Sequence, residues 1–274
     1  AMRSAAAQDA TLSTLMQLDD TLVAALAGGY IRLVRPCWLL AQDVATGFRL
    51  PRCQDLLAVH AEPPPLLAPE EAVALLRRGD RSVGALTFGW LTPGHPDPDG
   101  AHVETLQQGL LVMPHIEGVF WDFASLPQHP RTEADEEVFA RAISVMGDLY
   151  ASAVGTTVLQ LKQIPPRPVR FDGAVVLRQM RPRVQQAELH ALLAGHDVVS
   201  ISLATSSVHF ATRKAAIAAI KSGALAGVCS AVEYLYNERP YARRGWCCFE
   251  DAISSELVVR LTAFPKMLTT LQRL

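Results

Sequence analysis

The sequence has no excess of charge of either sign. Its 274 residues hold 25 Lys and Arg against 27 Asp and Glu, for a net charge of −2 and a pI near 6.5. That balance calls for neither a nucleic-acid backbone nor an anionic membrane surface as partner. Long hydrophobic runs are missing too, and no apolar stretch reaches the length of a bilayer-spanning helix. The first residues do not pass from basic to apolar to small, as a secretion signal does. Cysteine is sparse: Cys37, Cys53, Cys229, Cys247 and Cys248 are odd in number and irregularly spaced. Neither a disulfide framework nor a zinc site follows from them. Free thiols fit a reducing compartment, so the expected location is the cytoplasm. Apolar side chains are plentiful. Half the residues are hydrophobic and 19% are charged, the composition of a globular chain with a sizeable core. The length suits one large domain or two small ones.

Punctuation by Gly and Pro divides the chain. Residues 9–27 have helical periodicity, with Leu12, Leu15, Met16, Leu22, Val23 and Leu26 on one face and Gly28 and Gly29 at the end. This helix is either a packing element or an oligomer contact. The stretch Tyr30–Leu40 is extended in character. Residues 61–69 hold four prolines and exclude a regular element. A short helix follows over Glu70–Arg78. The apolar run Val83, Ala85, Leu86, Phe88 predicts a buried strand over Ser82–Trp90. It opens into Thr92–Gly100, TPGHPDPDG, which is either a ligand loop at the end of a strand or a rigid surface turn. His95, Asp97 and Asp99 match no metal-ligand spacing, and no metal is expected.

A helix over Ala101–Leu111 leads to a second strand, Gly118–Phe123, with Asp122 at its end. That carboxylate binds a ligand hydroxyl or caps a turn. Thr132 with Asp135 three residues on is a capping-box pattern. The helix it opens buries Phe139, Ile143, Met146 and Tyr150. Thr156–Leu161 is a third strand. The alternation of strands and helices predicts a parallel sheet. Pro165, Pro166 and Pro168 then mark a link. Beyond it the order is strand, helix, strand, strand, helix, strand, with the last strand within Gly227–Tyr236. That βαββαβ order is the ferredoxin-like plan. Base stacking needs aromatics on its two central strands, the first and third, and these offer only Phe210, with His209 facing the other side, so nucleic acid is an unlikely ligand and packing or oligomerisation the expected role.

The stretch Tyr241–Glu250, YARRGWCCFE, concentrates chemistry. A helix leaves it, with Ile253, Leu257, Leu261 and Phe264 at helical spacing and Pro265 as the stop. Glu250 is expected in the first turn, where the helix dipole favours an ionised carboxylate. An anion beside Trp246 and two arginines can stabilise a developing sugar cation or orient water. The plainer reading has Trp246 in the core, Glu250 capping the helix, and Arg243 and Arg244 in solvent.

This segment, with its spacing of Tyr241, Trp246 and Glu250, resembles the Tyr…Trp-Cys-x-x-Glu segment of TIR domains. ALTFGW resembles the first TIR strand, VFWDFASLPQ the second strand and its loop, and residues 132–161 the next helix and strand. WDFASLPQ…MGDLYASA is also similar to fungal heterokaryon-incompatibility domains. The resemblance covers residues 82–161 and 236–264. It implies an α/β, flavodoxin-like (TIR-like) parallel sheet. Residues 1–80 form an N-terminal helical and extended segment packing on the core. Residues 81–168 and 237–274 form the two parts of the TIR-like domain. Residues 169–236 form an inserted ferredoxin-like unit resembling an RNA-recognition motif in outline. Several TIR domains hydrolyse or cyclise NAD. By that resemblance Glu250 is the catalytic carboxylate that cleaves the N-glycosidic bond of NAD or a related nucleotide. Phe88, Gly89 and Trp90 at the first-strand loop, Asp122 and Ser125 at the second, and Trp246 beside Glu250 bind the substrate. NAD enters as a substrate, and no cofactor is implied. The alternative is a non-catalytic TIR-like scaffold that signals by forming homo-oligomers, and a further one is nucleoside deoxyribosyl transfer.

Overall fold

A computed structural model describes residues 13–263. The chain divides into two compact units. The first comprises residues 1–89, 99–163 and 240–274, and the second residues 90–98 and 164–239.

The first unit is built on three parallel strands. They are β1 (Val83–Phe88), β2 (Gly118–Phe120) and β3 (Thr156–Leu161), in the order β2-β1-β3. All six residues of β1 are buried, as expected of a central parallel strand covered on both faces. Its helices in chain order are α1 (Asp20–Ala27), α2 (Pro36–Leu40), α3 (Cys53–Leu57), α4 (Pro69–Arg77), α5 (Ala101–Val112), α6 (Asp122–Ser125) and α7 (Glu133–Ala151). The second unit contributes α8 (Gln186–Leu192) and α9 (Arg213–Ser222), and α10 (Gly245–Thr262) returns to the first.

One face of β1 is packed by a single apolar cluster. Leu22 and Leu26 of α1, Ala72, Leu75 and Leu76 of α4, and Ala142, Met146, Leu149 and Tyr150 of α7 meet Val83 and Ala85 there. Strand alternation sends Leu86 and Phe88 to the opposite face. Thr132 caps α7 as its sequence predicts. Its Oγ1 accepts the Asp135 N–H at 3.1 Å, and the Asp135 carboxylate accepts the Thr132 N–H at 3.0 Å.

Three local expectations change. The helix expected over 9–27 is broken. Residues 13–17 are helical, Leu18 and Asp19 form a turn, and α1 begins at Asp20. The break lets Asp19 turn inward, 5% exposed, where it accepts a 2.8 Å hydrogen bond from Ser152 Oγ. Leu12 lies outside the described residues. The extended stretch at 30–40 is limited to an isolated bridge at Val34, after which Pro36 takes the first position of α2. Finally, β2 ends at Phe120, and Asp122 opens the one-turn helix α6.

The second unit is a four-stranded antiparallel sheet of β4 (Ala174–Arg178), β5 (Val198–Ser202), β6 (Ser207–Phe210) and β7 (Ala231–Tyr234), in the order β5-β6-β4-β7. Val175, Leu177, Val208 and Phe210 pack on Leu189 of α8 and on Ala216 and Ala219 of α9. Phe210 is 2% exposed within this core, so it presents no stacking surface. Trp90–Pro98 belongs to this unit, tied by Asn237 N–H donating to Leu91 O at 2.7 Å. Nothing in the local sequence of that loop announced the assignment. Among the described residues no helix is long and apolar enough to cross a membrane.

Candidate functional site

In the order β2-β1-β3 the chain leaves β1 toward one neighbour and returns on the other side. Such a reversal opens a crevice at the carboxyl ends of the strands, where open parallel sheets hold their ligands. Four segments supply polar groups around that end of β1. Thr87 is the penultimate residue of β1, and its alternation sends the hydroxyl to the α7 face. Tyr150 stands one residue from the end of α7. Tyr241 lies in a 3₁₀ turn, Tyr241–Arg243, just before α10. Glu250 projects from α10, and Asp122 opens α6.

These groups form a connected chain. Thr87 Oγ1 and Tyr241 Oη are 2.7 Å apart, Tyr150 Oη donates to Leu86 O at 3.0 Å, and the Thr87 and Tyr150 hydroxyls both act on the Glu250 carboxyl, favouring its ionised form. Thr87 is fully buried, Tyr150 and Tyr241 nearly so, and Glu250 is 7% exposed. Burial, partly offset by the hydrogen bonds from Thr87 and Tyr150 and reinforced by the Asp122 charge, pushes Glu250 up to about 7. Desolvation of this kind disfavours the charged form. It also pushes Tyr241 up to about 12 and Tyr150 well above the usual phenol range. Cys247, whose Sγ–H donates to Phe88 O at 3.2 Å, is pushed up to about 12, so it remains a thiol at neutral pH. The site thus has one group poised to exchange a proton near neutrality, the property expected of a general acid or base.

The position of Glu250 departs from expectation. α10 starts at Gly245, so Glu250 lies in its second turn and not its first. The helix dipole fades beyond the first turn, and burial dominates. The carboxyl is therefore raised toward neutrality rather than held as a fixed anion. Ile253 and Leu257 are half-buried and Leu261 buried along α10, while Phe264 and Pro265 lie outside the described residues.

The other expected site residues separate into groups. Asp122 is half-buried, acts electrostatically on Glu250 and Tyr150, and accepts the Phe123 N–H at 2.6 Å. Ser125 is fully buried, and its Oγ accepts the Trp121 N–H at 2.9 Å, which closes the α6 turn. Phe88 points to the opposite face of the sheet, edge-on to His102 at 5.3 Å and to Trp121 at 5.4 Å. Gly89 is required by close approach: a Cβ there would stand 2.5 Å from Cζ of Arg244. Arg244 itself is 7% exposed, contrary to a solvated role. Trp246 is 51% exposed and stacks on Phe249 at 5.4 Å. Its ring is therefore largely in solvent and not part of the core. Trp90 belongs to the second unit, where it lines a cleft of about 900 Å³ with Arg178, Glu233, Tyr236 and Asn237.

Thr87 and Tyr150 are the functional residues that motif reading missed. A single hydroxyl in the otherwise apolar strand VGALTF was the available signal for Thr87. Tyr150 read as core because its ring is core, and only its hydroxyl belongs to the site. Among the described residues, no three His, Cys, Asp or Glu side chains converge as a metal site. No family model, no curated protein and no solved structure matches this chain.

Proposed function

We propose that the first unit is a TIR-like, nucleotide-processing enzyme that cleaves the N-glycosidic bond of NAD or a related nucleotide. Glu250 is its catalytic carboxyl and Asp122 a second carboxyl of the site. In this reading the order β2-β1-β3 is the start of a flavodoxin-like sheet, and the second unit is a ferredoxin-like insertion. The observation that carries it is the buried Glu250 carboxyl at the end of β1, held by Thr87 and Tyr150 and raised to about 7. Glycoside cleavage by paired carboxyl groups uses such a partition: one accepts or donates a proton while the other stabilises the sugar cation or activates water.

The test is incubation of concentrated wild-type protein with NAD, following nicotinamide by chromatography, with Glu250→Gln alongside. Release by the wild type and a loss of at least about a hundredfold in the folded variant support the assignment. Release by both would remove Glu250 from the chemistry.

A second reading is favoured by exposed apolar side chains on α10. Trp246 and Phe249, with ring centroids 5.4 Å apart, are 51 and 43% exposed, and Val258 and Val259 farther along are 59 and 61% exposed. Exposed apolar clusters mark association surfaces. In this reading the chain is a scaffold that self-associates. It predicts a mass that rises with concentration in light scattering, a rise that Trp246→Ala abolishes, and no turnover.

A further inference from the structure

The two edges of the second unit's sheet differ. At one edge β5 is bulged, with a shift in its register against β6 between Val198 and Ser200. A bulge of this kind spoils an edge as a template for another strand. At the other edge β7 runs from Ala231 to Tyr234 with no shift against β4 and no proline. Its one charged residue, Glu233, is already paired, because Arg178 Nε donates to its carboxylate at 2.9 Å. Among the described residues no strand pairs with the outer side of β7.

The ladder fixes which backbone groups face outward. Leu235 N–H donates to Ala174 O at 2.9 Å. Hydrogen-bonded pairs alternate along an antiparallel ladder, so the backbone groups of Ala231, Glu233 and Leu235 turn to β4. Those of Val232 and Tyr234 turn outward. On its other side β4 keeps the same alternation, with Leu177 N–H donating to Ser206 O at 2.7 Å. Side chains alternate as well. Val232 and Tyr234 are half-buried against the helix-side core, while Ala231 and Glu233 are exposed on the opposite face. Ala231, Glu233 and Tyr234 line the cleft of about 900 Å³ together with Trp90 and Arg178.

We propose that β7 is a docking edge for an extended peptide segment of a partner protein, which adds to the sheet as a further antiparallel strand. That strand carries a basic residue opposite Glu233 and apolar residues on either side of it. Main-chain hydrogen bonds to Val232 and Tyr234 supply the attachment, and the alternating side chains supply the selection. A basic side chain opposite Glu233 extends the Arg178–Glu233 pair into a row of alternating charge. The residues opposite Val232 and Tyr234 extend the apolar face. A second copy of this chain does not meet that requirement. Antiparallel pairing of two β7 edges centres on Val232, Glu233 or Tyr234, which sets Glu233 opposite the second copy's Ala231, Glu233 or Leu235. None of these is basic.

The test adds a capped hexapeptide of alternating valine and lysine to the full chain and follows amide hydrogen exchange by NMR. Without peptide, the Val232 and Tyr234 amides should exchange at least about tenfold faster than those of Glu233 and Leu235, and saturating peptide should remove the difference. Protection of Val232 and Tyr234 in the peptide-free chain overturns the proposal. If present at every concentration, it means the edge is already covered, and if it grows with concentration, a second copy covers it. Methylation of the probe's valine nitrogens should abolish binding and methylation of its lysine nitrogens should not, because only the valines face β7 through their backbone. A valine–glutamate peptide should bind about fivefold more weakly, and Glu233→Lys should reverse that preference. Val232→Pro removes an outward N–H and no bond to β4, and should weaken binding at least about tenfold. No binding of the valine–lysine probe, or equal loss with either methylation, overturns the proposal.

Discussion

A carboxyl group enclosed by Thr87, Tyr150 and the Asp122 charge loses the hydration that ionisation needs. Its folded value of about 7 stands above the ordinary 4.5, so Glu250 contributes stability that is fully present below about pH 4.5 and lost as pH rises through 7. By linkage that rise amounts to about 3 kcal/mol. Glu250→Gln is therefore expected to stabilise the fold by up to about 3 kcal/mol at pH 8 and to change little at pH 4, as read by denaturant unfolding at both values. Such a gain is common where an active site is held in a costly state. Thr87→Val removes a donor that favours the ionised form, so Glu250 should titrate about one pH unit higher, and Thr87→Ser should restore it. The carboxyl carbon of labelled Glu250, followed by NMR across pH, reads the shift directly. Gly89→Ala should cost about 1–3 kcal/mol, because its new Cβ would meet the buried Arg244 guanidinium, and thermal unfolding measures the loss.

Among the elements, α7 and the turn before α1 show how far local signals reach. The capping box at Thr132 was legible because an N-cap residue and its partner three positions on satisfy backbone donors without help from the rest of the chain. Thr132→Ala should lower stability by about 1 kcal/mol, measured by chemical denaturation. The turn at Leu18–Asp19 was not legible, because its cause lies at Ser152. Asp19 is raised from 3.8 to about 6, mainly by burial, with Asp148 and Asp20 adding repulsion and Ser152 opposing it. Its contribution is fully present below about pH 3.8 and lost as pH rises through 6, so Asp19→Asn should flatten the fall in stability between those values. Periodicity located β1, but the expected site residues Phe88, Gly89 and Trp90 lie at its last position and beyond. Strand alternation puts Thr87, not Phe88, on the face shared with Tyr150.

For the whole molecule, the division into two units has a consequence of its own. The second unit buries its own core of Val175, Leu177, Val208 and Phe210 against α8 and α9, so it has the means to unfold as a separate cooperative block. Of the four tryptophans, only Trp90 belongs to it. A variant retaining Trp90, with Trp38, Trp121 and Trp246 replaced by Phe, should show a fluorescence midpoint in urea distinct from that of the parent's other tryptophans. Coincident midpoints would mean that the two units unfold as one.

The sequence by itself determined where the elements lie. Strand and helix periodicities, prolines at 61–69 and 165–168, and cap residues act within a few positions of one another, so they can be read along the line. It also carried the order of strands and helices in the second unit and the parallel character of the first sheet. Only the tertiary structure decided the site and its chemistry. Thr87, Asp122, Tyr150, Tyr241 and Glu250 come from separate segments, and no local rule links a hydroxyl in β1 to a phenol 154 residues away. The charge state of Glu250 depends on how much water is excluded around it, and burial is a property of the assembled fold. Trp246 and Arg244 make the same point in reverse. The aromatic ring faces outward and the guanidinium inward, because packing space at the end of β1 is left open by the absence of a Cβ on Gly89.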